Sequence, residues 1–327
     1  MKKYLILIYN SLIIFKLIII ASNISLILLN NLNIIKNIRF YLNNKKIKIC
    51  LCTLGKKENK YVREYVAHYI KYGVDKIFIY DNNDIDGESF DFILNDYIKN
   101  KFITILNYRG YKKTQIATMN HCYKTNYKKY NWIIFYDMDE FIYLKNYTNI
   151  KYYLNEPIFN HCKLIRLNLL YHTDNNNLYY ENKTLFERFP EINRNVKAYV
   201  IKSILRGNIN RIKIVNVHYL LRNKKIKACN GFGHLLNKIT VFAQEVDLKY
   251  YYINHFSFKS TEEFIYKMNR GSAVSGYNNK TIRGKIGNYF RHNLITLKKI
   301  KFIEKMTGLK LTKLREKLKK NITYNIF

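Results

Sequence analysis

Three carboxylates fall within four residues at Asp137, Asp139 and Glu140, inside the run Tyr-Asp-Met-Asp-Glu-Phe-Ile from Tyr136 to Ile142. The run follows Asn131–Phe135 (Asn-Trp-Ile-Ile-Phe), a short apolar stretch that reads as a buried strand. Side chains alternate along an extended chain, which puts Asp137 and Asp139 on the same side. Two carboxylates held together at the mouth of a strand repel each other unless a cation lies between them. Hard divalent ions, Mn²⁺ or Mg²⁺, prefer such oxygen-rich settings and are often shared with a diphosphate. The chain has Lys+Arg 57 against Asp+Glu 23, so acids are scarce and a cluster of three carries weight. The structural alternative is a solvated turn at a strand end.

The segments before this cluster alternate. Ile47–Thr53 reads as a strand and Glu58–Tyr72 as a helix with Tyr61, Tyr65, His68, Tyr69 and Tyr72 at helical spacing. Gly73 is placed to stop that helix. Lys76–Tyr80 is a strand leading into Asp81-Asn82-Asn83, Ser89–Lys99 a helix, Phe102–Leu106 a strand and Gln115–Lys128 a helix. Strands alternating with helices predict parallel strands with crossover helices, an α/β nucleotide-binding sheet. Ligands of such sheets bind beyond the carboxyl ends of the strands, where Thr53, Asp81 and Asp137 all fall. Beyond residue 150 the alternation loosens. Leu164–Tyr171, Ala198–Ile204 and Ile212–His218 read as strands and Thr261–Arg270 as a helix.

The reading divides the chain into a hydrophobic signal-anchor (1–29), a polar basic stem (30–46), one continuous domain (47–293) and a basic helical tail (294–327). Tyr4–Leu29 is apolar after Lys2-Lys3, although Asn10, Lys16 and Asn23 interrupt it. The leading lysines set the N-terminus in the cytosol. That predicts a single-pass type II membrane protein with its catalytic domain in the lumen of the ER or Golgi. A helix lying on the domain or in the membrane interface is the alternative.

Composition narrows the function classes. The net charge of +34 favours anionic ligands and acidic membrane surfaces. No zinc-finger spacing, RNA-binding aromatic signature or helix-turn-helix accompanies it, so no specific nucleic-acid partner is expected. The excess of Lys, Asn, Ile and Tyr, with only Pro 2 and Gly 12, is that of an AT-rich coding sequence. Cys50, Cys52, Cys122, Cys162 and Cys229 show no metal-ligand spacing. Cys50 and Cys52 lie in a predicted strand and read as buried thiols. The odd count argues against a full disulfide framework and leaves room for one bridge.

Several motifs agree in order. Cys50–Thr53 is followed by Lys57-Glu58-Asn59 with Tyr61, Glu64 and His68, and then by Gly73–Ile77 and Tyr80–Asn83. Gln115 opens the helix before the acidic run, and Trp132–Phe141 contains it. Leu185–Phe189, Lys202-Ser203-Ile204, Val217-His218-Tyr219 and Asn254-His255-Phe256 through Lys259-Ser260, Lys267, Arg270 and Gly271 complete the series. In this order the chain resembles glycosyltransferase family 92 and the related family-2-like transferases of GT-A fold, from about Ile49 to Gly271. It departs from many members with Lys57 in place of Asn and Tyr65 in place of Trp.

The resemblance implies transfer of a sugar from a nucleotide-diphosphate sugar, UDP-linked, to a hydroxyl on a glycan, glycoprotein or glycolipid. A divalent ion on Asp139, with Asp137 bridging metal and ribose, would stabilise the leaving diphosphate. His255 resembles the late histidine of such metal sites; a core or capping histidine is its alternative. Asp81 is a candidate partner for uridine or ribose, with an Asx-turn as the alternative. Thr53, Arg188 and Lys202 complete the candidate donor-binding set. An inverting transfer needs a carboxylate base. Asp174 is the first choice, ahead of Glu140 and Glu245. Two rivals stand beside the transferase: a non-catalytic basic protein of the same fold that meets RNA or acidic membranes, and a metal-dependent nucleotidyltransferase.

Overall fold

The computed structural model describes residues 47–193, 200–218, 220–221, 226–238, 240–243, 245–270 and 279–324. The predicted anchor and stem lie outside the described residues. Among those described, no helix is long and apolar enough to cross a membrane.

The N-terminal half is the predicted alternation. Strand β1 (Ile49–Gly55) is followed by helix α1 (Asn59–Lys71) and β2 (Lys76–Asp81). Two short helices, α2 (Phe90–Ile93) and α3 (Asn95–Lys99), take the place of the single predicted helix. They are split at Leu94, which closes the first helix and opens the second. Strand β3 (Ile103–Asn107), helix α4 (Gln115–Asn126) and strand β4 (Trp132–Phe135) complete this half. Strands β1, β2, β3 and β4 are parallel, with β1 between β2 and β4. The chain therefore reverses its direction of travel across the sheet at β1, the place where open α/β sheets form a crevice.

Past β4 the sheet becomes mixed. Strands β5 (Glu140–Leu144), β6 (Leu164–Tyr171), β7 (Ile201–Arg206), β8 (Ala228–Cys229) and β9 (Tyr251–His255) extend it to nine strands, ordered β3-β2-β1-β4-β7-β6-β9-β5 with β8 paired to β6. Strand β7 is antiparallel to both β4 and β6, and β5 is antiparallel to β9. Ile212–His218 is not a strand. Asn120 of α4 accepts from the Ile214 amide and donates to the Ile214 carbonyl, each at 2.8 Å, so a helix side chain supplies the partners a strand would have given. Buried Ile214 then packs against Met119, Cys122 and Tyr123 of α4.

Helices α5 (Ile150–Leu154) and α6 (Leu185–Arg188) are short connectors. Helix α7 (Thr261–Asn269) opens with a capping box between Ser260 and Glu263. Helix α8 (Asn279–His292) had no counterpart in the sequence reading. The predicted basic helix after Leu294 is two helices, α9 (Leu297–Thr307) and α10 (Thr312–Tyr324). Gly308 divides them, ending α9 in the left-handed region at φ 69°. Phe258, Phe264, Tyr289, Ile300, Ile303 and Leu311 form one apolar cluster, joining α7, α8 and α9.

Two disulfides cross-link the sheet region. Cys52–Cys122 joins β1 to α4, and Cys162–Cys229 joins the start of β6 to β8. Cys52 is therefore not the free thiol that the sequence reading expected. The bonded pairs lie 70 and 67 residues apart, so pairing is visible only after the sheet has formed. Cys50 is a buried thiol, and burial pushes its pKa up.

Candidate active site

The acidic run is a tight turn between β4 and β5. The Glu140 amide donates to the Asp137 carbonyl at 3.0 Å, and the Asp137 amide donates to Glu140 Oε2 at 3.0 Å. Helix α1 holds this turn from behind through its aromatic stripe. Tyr65 donates to the Tyr136 carbonyl (2.9 Å), Tyr69 to the Glu140 carbonyl (2.7 Å), and His68 lies 3.0 Å from the Ile142 carbonyl. The helical spacing of these residues thus serves two ends, burying apolar rings and fixing the backbone that carries the acids.

Each aspartate has its own cation. Lys202, on β7 and fully buried, donates to Asp137 Oδ2 at 2.6 Å and lies 3.2 Å from Glu140 Oε2. Gln115, the first residue of α4, donates to the other Asp137 oxygen at 2.9 Å. Lys267, on α7, donates to Asp139 Oδ2 at 2.6 Å and to the Ser257 carbonyl at 3.0 Å. His255 Nε2 is 3.6 Å from Asp139 Oδ1. Burial works against the Asp139 charge, yet Lys267 and His255 hold its carboxyl well below the ordinary range. Burial also works against the Lys202 charge, and Asp137 and Glu140 keep its pKa above the usual value. Burial pushes Glu140 up to about 8, against the pull of Lys202.

The sheet brings His255 to the acids. In the antiparallel β5–β9 pair Glu140 stands opposite His255, and the Phe256 amide donates to the Asp139 carbonyl at 2.9 Å. Asp139, Glu140 and His255 offer ligand atoms within 4.8 Å of one another, two hard oxygens and an imidazole, a set that fits Mn²⁺ or Mg²⁺. Asp137 is not in that group; Lys202 and Gln115 take its oxygens.

Thr53, Gln115, Tyr136 and Asp137 wall a cleft at the β1–β4 edge. Asp81 ends β2 opposite Gly55. Its Oδ1 accepts from the Asn83 amide at 3.0 Å, an Asx-turn, and its Oδ2 lies 3.4 Å from Arg109. Arg188 stands apart. It is buried in a two-pronged pair with Glu263 at 2.8 and 3.0 Å and ties α6 to α7. Asp174 also stands apart. Lys299 of α9 lies 2.6 Å from its Oδ2, Tyr289 of α8 donates to the same oxygen, and the Asn176 amide donates to Oδ1 at 2.9 Å. Glu140 is buried in the turn and Glu245 is exposed.

Several residues beside the acids went unassigned in the sequence reading. Lys259 and Lys267 appeared only within a motif series, and Ser257 carried no signal. Lys259 is buried, 3.9 Å from Glu58, and burial lowers its pKa. Glu58 also pairs with Arg270, whose guanidinium donates to the Lys56 carbonyl at 2.7 Å. This network joins the loop after β1 to the end of α7. On the other side of His255 and Lys267 lies a cavity of about 460 Å³ between β9, α7 and α8.

Fold and site together define an α/β protein that presents carboxylates at the carboxyl edge of a parallel sheet, beside a late histidine from a neighbouring strand. The chain belongs to glycosyltransferase family 92, whose model matches residues 45–294. A glycosyltransferase family 92 protein of Ricinus communis is 30% identical over 107 residues, 33% of this chain and 19% of the relative. One from Arabidopsis thaliana is 30% identical over 106 residues, 32% of this chain and 18% of the relative. The matched stretch thus spans less than a fifth of either relative's own length. Among solved structures, S. aureus TarS 1-349 in complex with UDP-GlcNAc aligns over 82% of this chain and 85% of its own, at 13% identity and a TM-score of 0.36. The same TarS fragment without that ligand aligns over 75% and 72%, at 12% identity and a TM-score of 0.34. Likeness at that level decides nothing about this chain.

Proposed function

We propose that this protein transfers a glycosyl group from a nucleotide-diphosphate sugar, a UDP-sugar, to an acceptor hydroxyl on a glycan, glycoprotein or glycolipid. One observation carries the reading beyond family membership: β5–β9 pairing sets His255 against the acid turn at the crevice of the sheet. Asp139 and His255, with Glu140 behind them, would hold Mn²⁺ or Mg²⁺. The ion would supply positive charge for the leaving diphosphate. The protein's own groups do the rest. Thr53 and Asp81 sit where the nucleoside would lie, Gln115 and Lys202 orient Asp137, and Lys202 adds a fixed positive charge nearby. Lys267 pairs with Asp139 and would turn toward the diphosphate when an ion takes its place.

The two disulfides support a lumenal setting, because such bonds persist in oxidising compartments. With the apolar segment Tyr4–Leu29 as a type II anchor, we place the domain in the ER or Golgi lumen. Calorimetry tests the central reading. UDP should bind in Mn²⁺ or Mg²⁺ and lose most of its affinity in EDTA. Equal affinity in both would remove the metal site from the mechanism.

A further inference from the structure

The two disulfides differ in where they stand. Cys52 lines the cleft at the β1–β4 edge, next to Thr53 in the chain and opposite Phe135 of β4. Gln115, Thr118 and Met119 line the same cleft from α4. Cys122 lies on that face of the helix, because residues three, four and seven apart stack in line. The Cys52–Cys122 bond therefore ties together the two elements that bring Thr53 and Gln115 to the cleft. Gln115 in turn donates to Asp137 at 2.9 Å. Thr114 gives the start of α4 no side-chain cap, which raises the weight of the disulfide in fixing that helix. The Cys162–Cys229 bond ties the start of β6 to β8, and neither of its residues lines the cleft. The paired cysteines are 70 and 67 residues apart, so both bonds constrain the unfolded chain almost equally. They are a matched pair that differs in place.

From this placement we infer that Cys52 and Cys122 are redox-controlled positioning residues for the nucleotide donor: their disulfide holds the cleft in its binding form, and reduction loosens it. The inference rests on the transferase reading and adds a control to that same site. A cleft already in its binding form pays no ordering cost when the donor arrives. When only a fraction of molecules hold that form, the apparent affinity falls by the same fraction. In the reduction, one thiolate of a dithiol attacks a sulfur of the bond, and its second thiol then displaces the other. The S–S bond breaks, Cys52 and Cys122 together gain two electrons and two protons, and the dithiol becomes a cyclic disulfide. Coupling of this kind is reciprocal. If the bond tightens donor binding, a bound donor must resist reduction of the bond by the same factor. The site is thus complete only where the bond forms, in an oxidising compartment.

Calorimetry of UDP with Mn²⁺ on the full chain tests this. The oxidised parent is compared with a variant carrying Cys52→Ala and Cys122→Ala, and with one carrying Cys162→Ala and Cys229→Ala. The first variant should bind UDP ~10-fold or more weakly, and the second should stay within about 2-fold of the parent. Melting temperature checks that both are folded. A second measurement uses the parent alone and decides the matter if the first variant does not fold. The parent is equilibrated against dithiothreitol in its reduced and oxidised forms, with and without UDP and Mn²⁺. Free thiols are then alkylated and read by mass spectrometry. UDP should lower the potential of Cys52–Cys122 by about 30 mV for each tenfold in affinity and leave Cys162–Cys229 unmoved. Equal loss of UDP affinity in both variants, unchanged affinity in both, or an equal shift of both potentials overturns the clamp and leaves the transferase reading standing. An oxidised parent that binds no UDP under any metal condition removes the transferase reading, and the clamp with it.

Discussion

The two lysines that neutralise the acid turn stand in contrasting places. Lys202 has 1% of its side chain exposed and is shared by two carboxylates, Asp137 and Glu140. Lys267 is 34% exposed, holds one carboxylate and one carbonyl, and stands at the rim of a cavity. A buried ammonium cannot leave its partners without exposing unpaired charge to an apolar interior. An ammonium at a rim can itself reach solvent, and buried Asp139 then needs another positive charge in its place. The Asp137 side of the turn is therefore a fixed part of the fold, and the Asp139 side is the part that can exchange a lysine for an ion or a substrate. Two aspartates separated by one residue thus have unlike duties, set by what the sheet puts beside each.

Removing Lys202 should have the largest effect. Lys202→Met keeps the length of the stem and leaves Asp137 and Glu140 facing each other without a cation. Breaking a buried pair by removing one partner costs about 3–5 kcal/mol. Urea denaturation should show a loss of that size, and a loss below about 1 kcal/mol would mean that water or another cation reaches Asp137.

Asp139→Asn probes the other side. If Asp139 holds the ion, sugar transfer should fall at least ~100-fold, about 2.7 kcal/mol in the barrier. The rise in melting temperature given by Mn²⁺ should vanish as well. Near-normal turnover in a folded variant would show that the ion, if used, sits elsewhere.

Acid should also weaken the backing of the turn. Burial lowers the His68 pKa to about 4, while in the unfolded chain it is about 6.5. The unfolded chain therefore takes up a proton that the folded chain refuses. The stability is present above about pH 6.5 and is lost as pH falls toward 4, on the order of 3 kcal/mol for this residue. Unfolding free energies measured across that window should slope for the parent and flatten for His68→Gln. An unchanged slope would assign the acid sensitivity to other groups, of which buried His292, also lowered to about 4, is the first to test.

Lys267→Met completes the contrast. It should cost less than Lys202→Met, because Lys267 is partly exposed and His255 still faces the buried Asp139. A loss as large as that of Lys202→Met would erase the distinction between the two sides.

The alternation of strands and helices through Phe135 could be read from the sequence because β1 to β4 are short buried runs joined by crossover helices. Each such segment carries its own periodic signal. The acid turn was legible for the same reason, as three carboxylates just after one of those runs. His255 was reached through the order of motifs, and its place opposite Glu140 follows from a strand pairing that no local pattern encodes. The misread segments share one cause. Ile212–His218 has strand-like composition, but Asn120 of a distant helix satisfies its backbone. Cys52 looks like a core thiol in its strand and is bonded to a cysteine 70 residues away. Asp174 and Arg188 have the chemistry of site residues, yet Lys299 and Glu263, far along the chain, make them clasps of the fold.

By itself the sequence determined the parallel half-sheet, the position of the acid turn at its carboxyl edge and the tyrosine stripe of α1, all products of periodicity over a few residues. Tertiary structure alone decided which cation meets which carboxylate, which acids are withdrawn into clasps, and that a cavity opens beside His255. Charge pairing depends on distances between segments 65 to 128 residues apart, and those distances do not exist until the sheet pairing and the α7–α8 packing have formed.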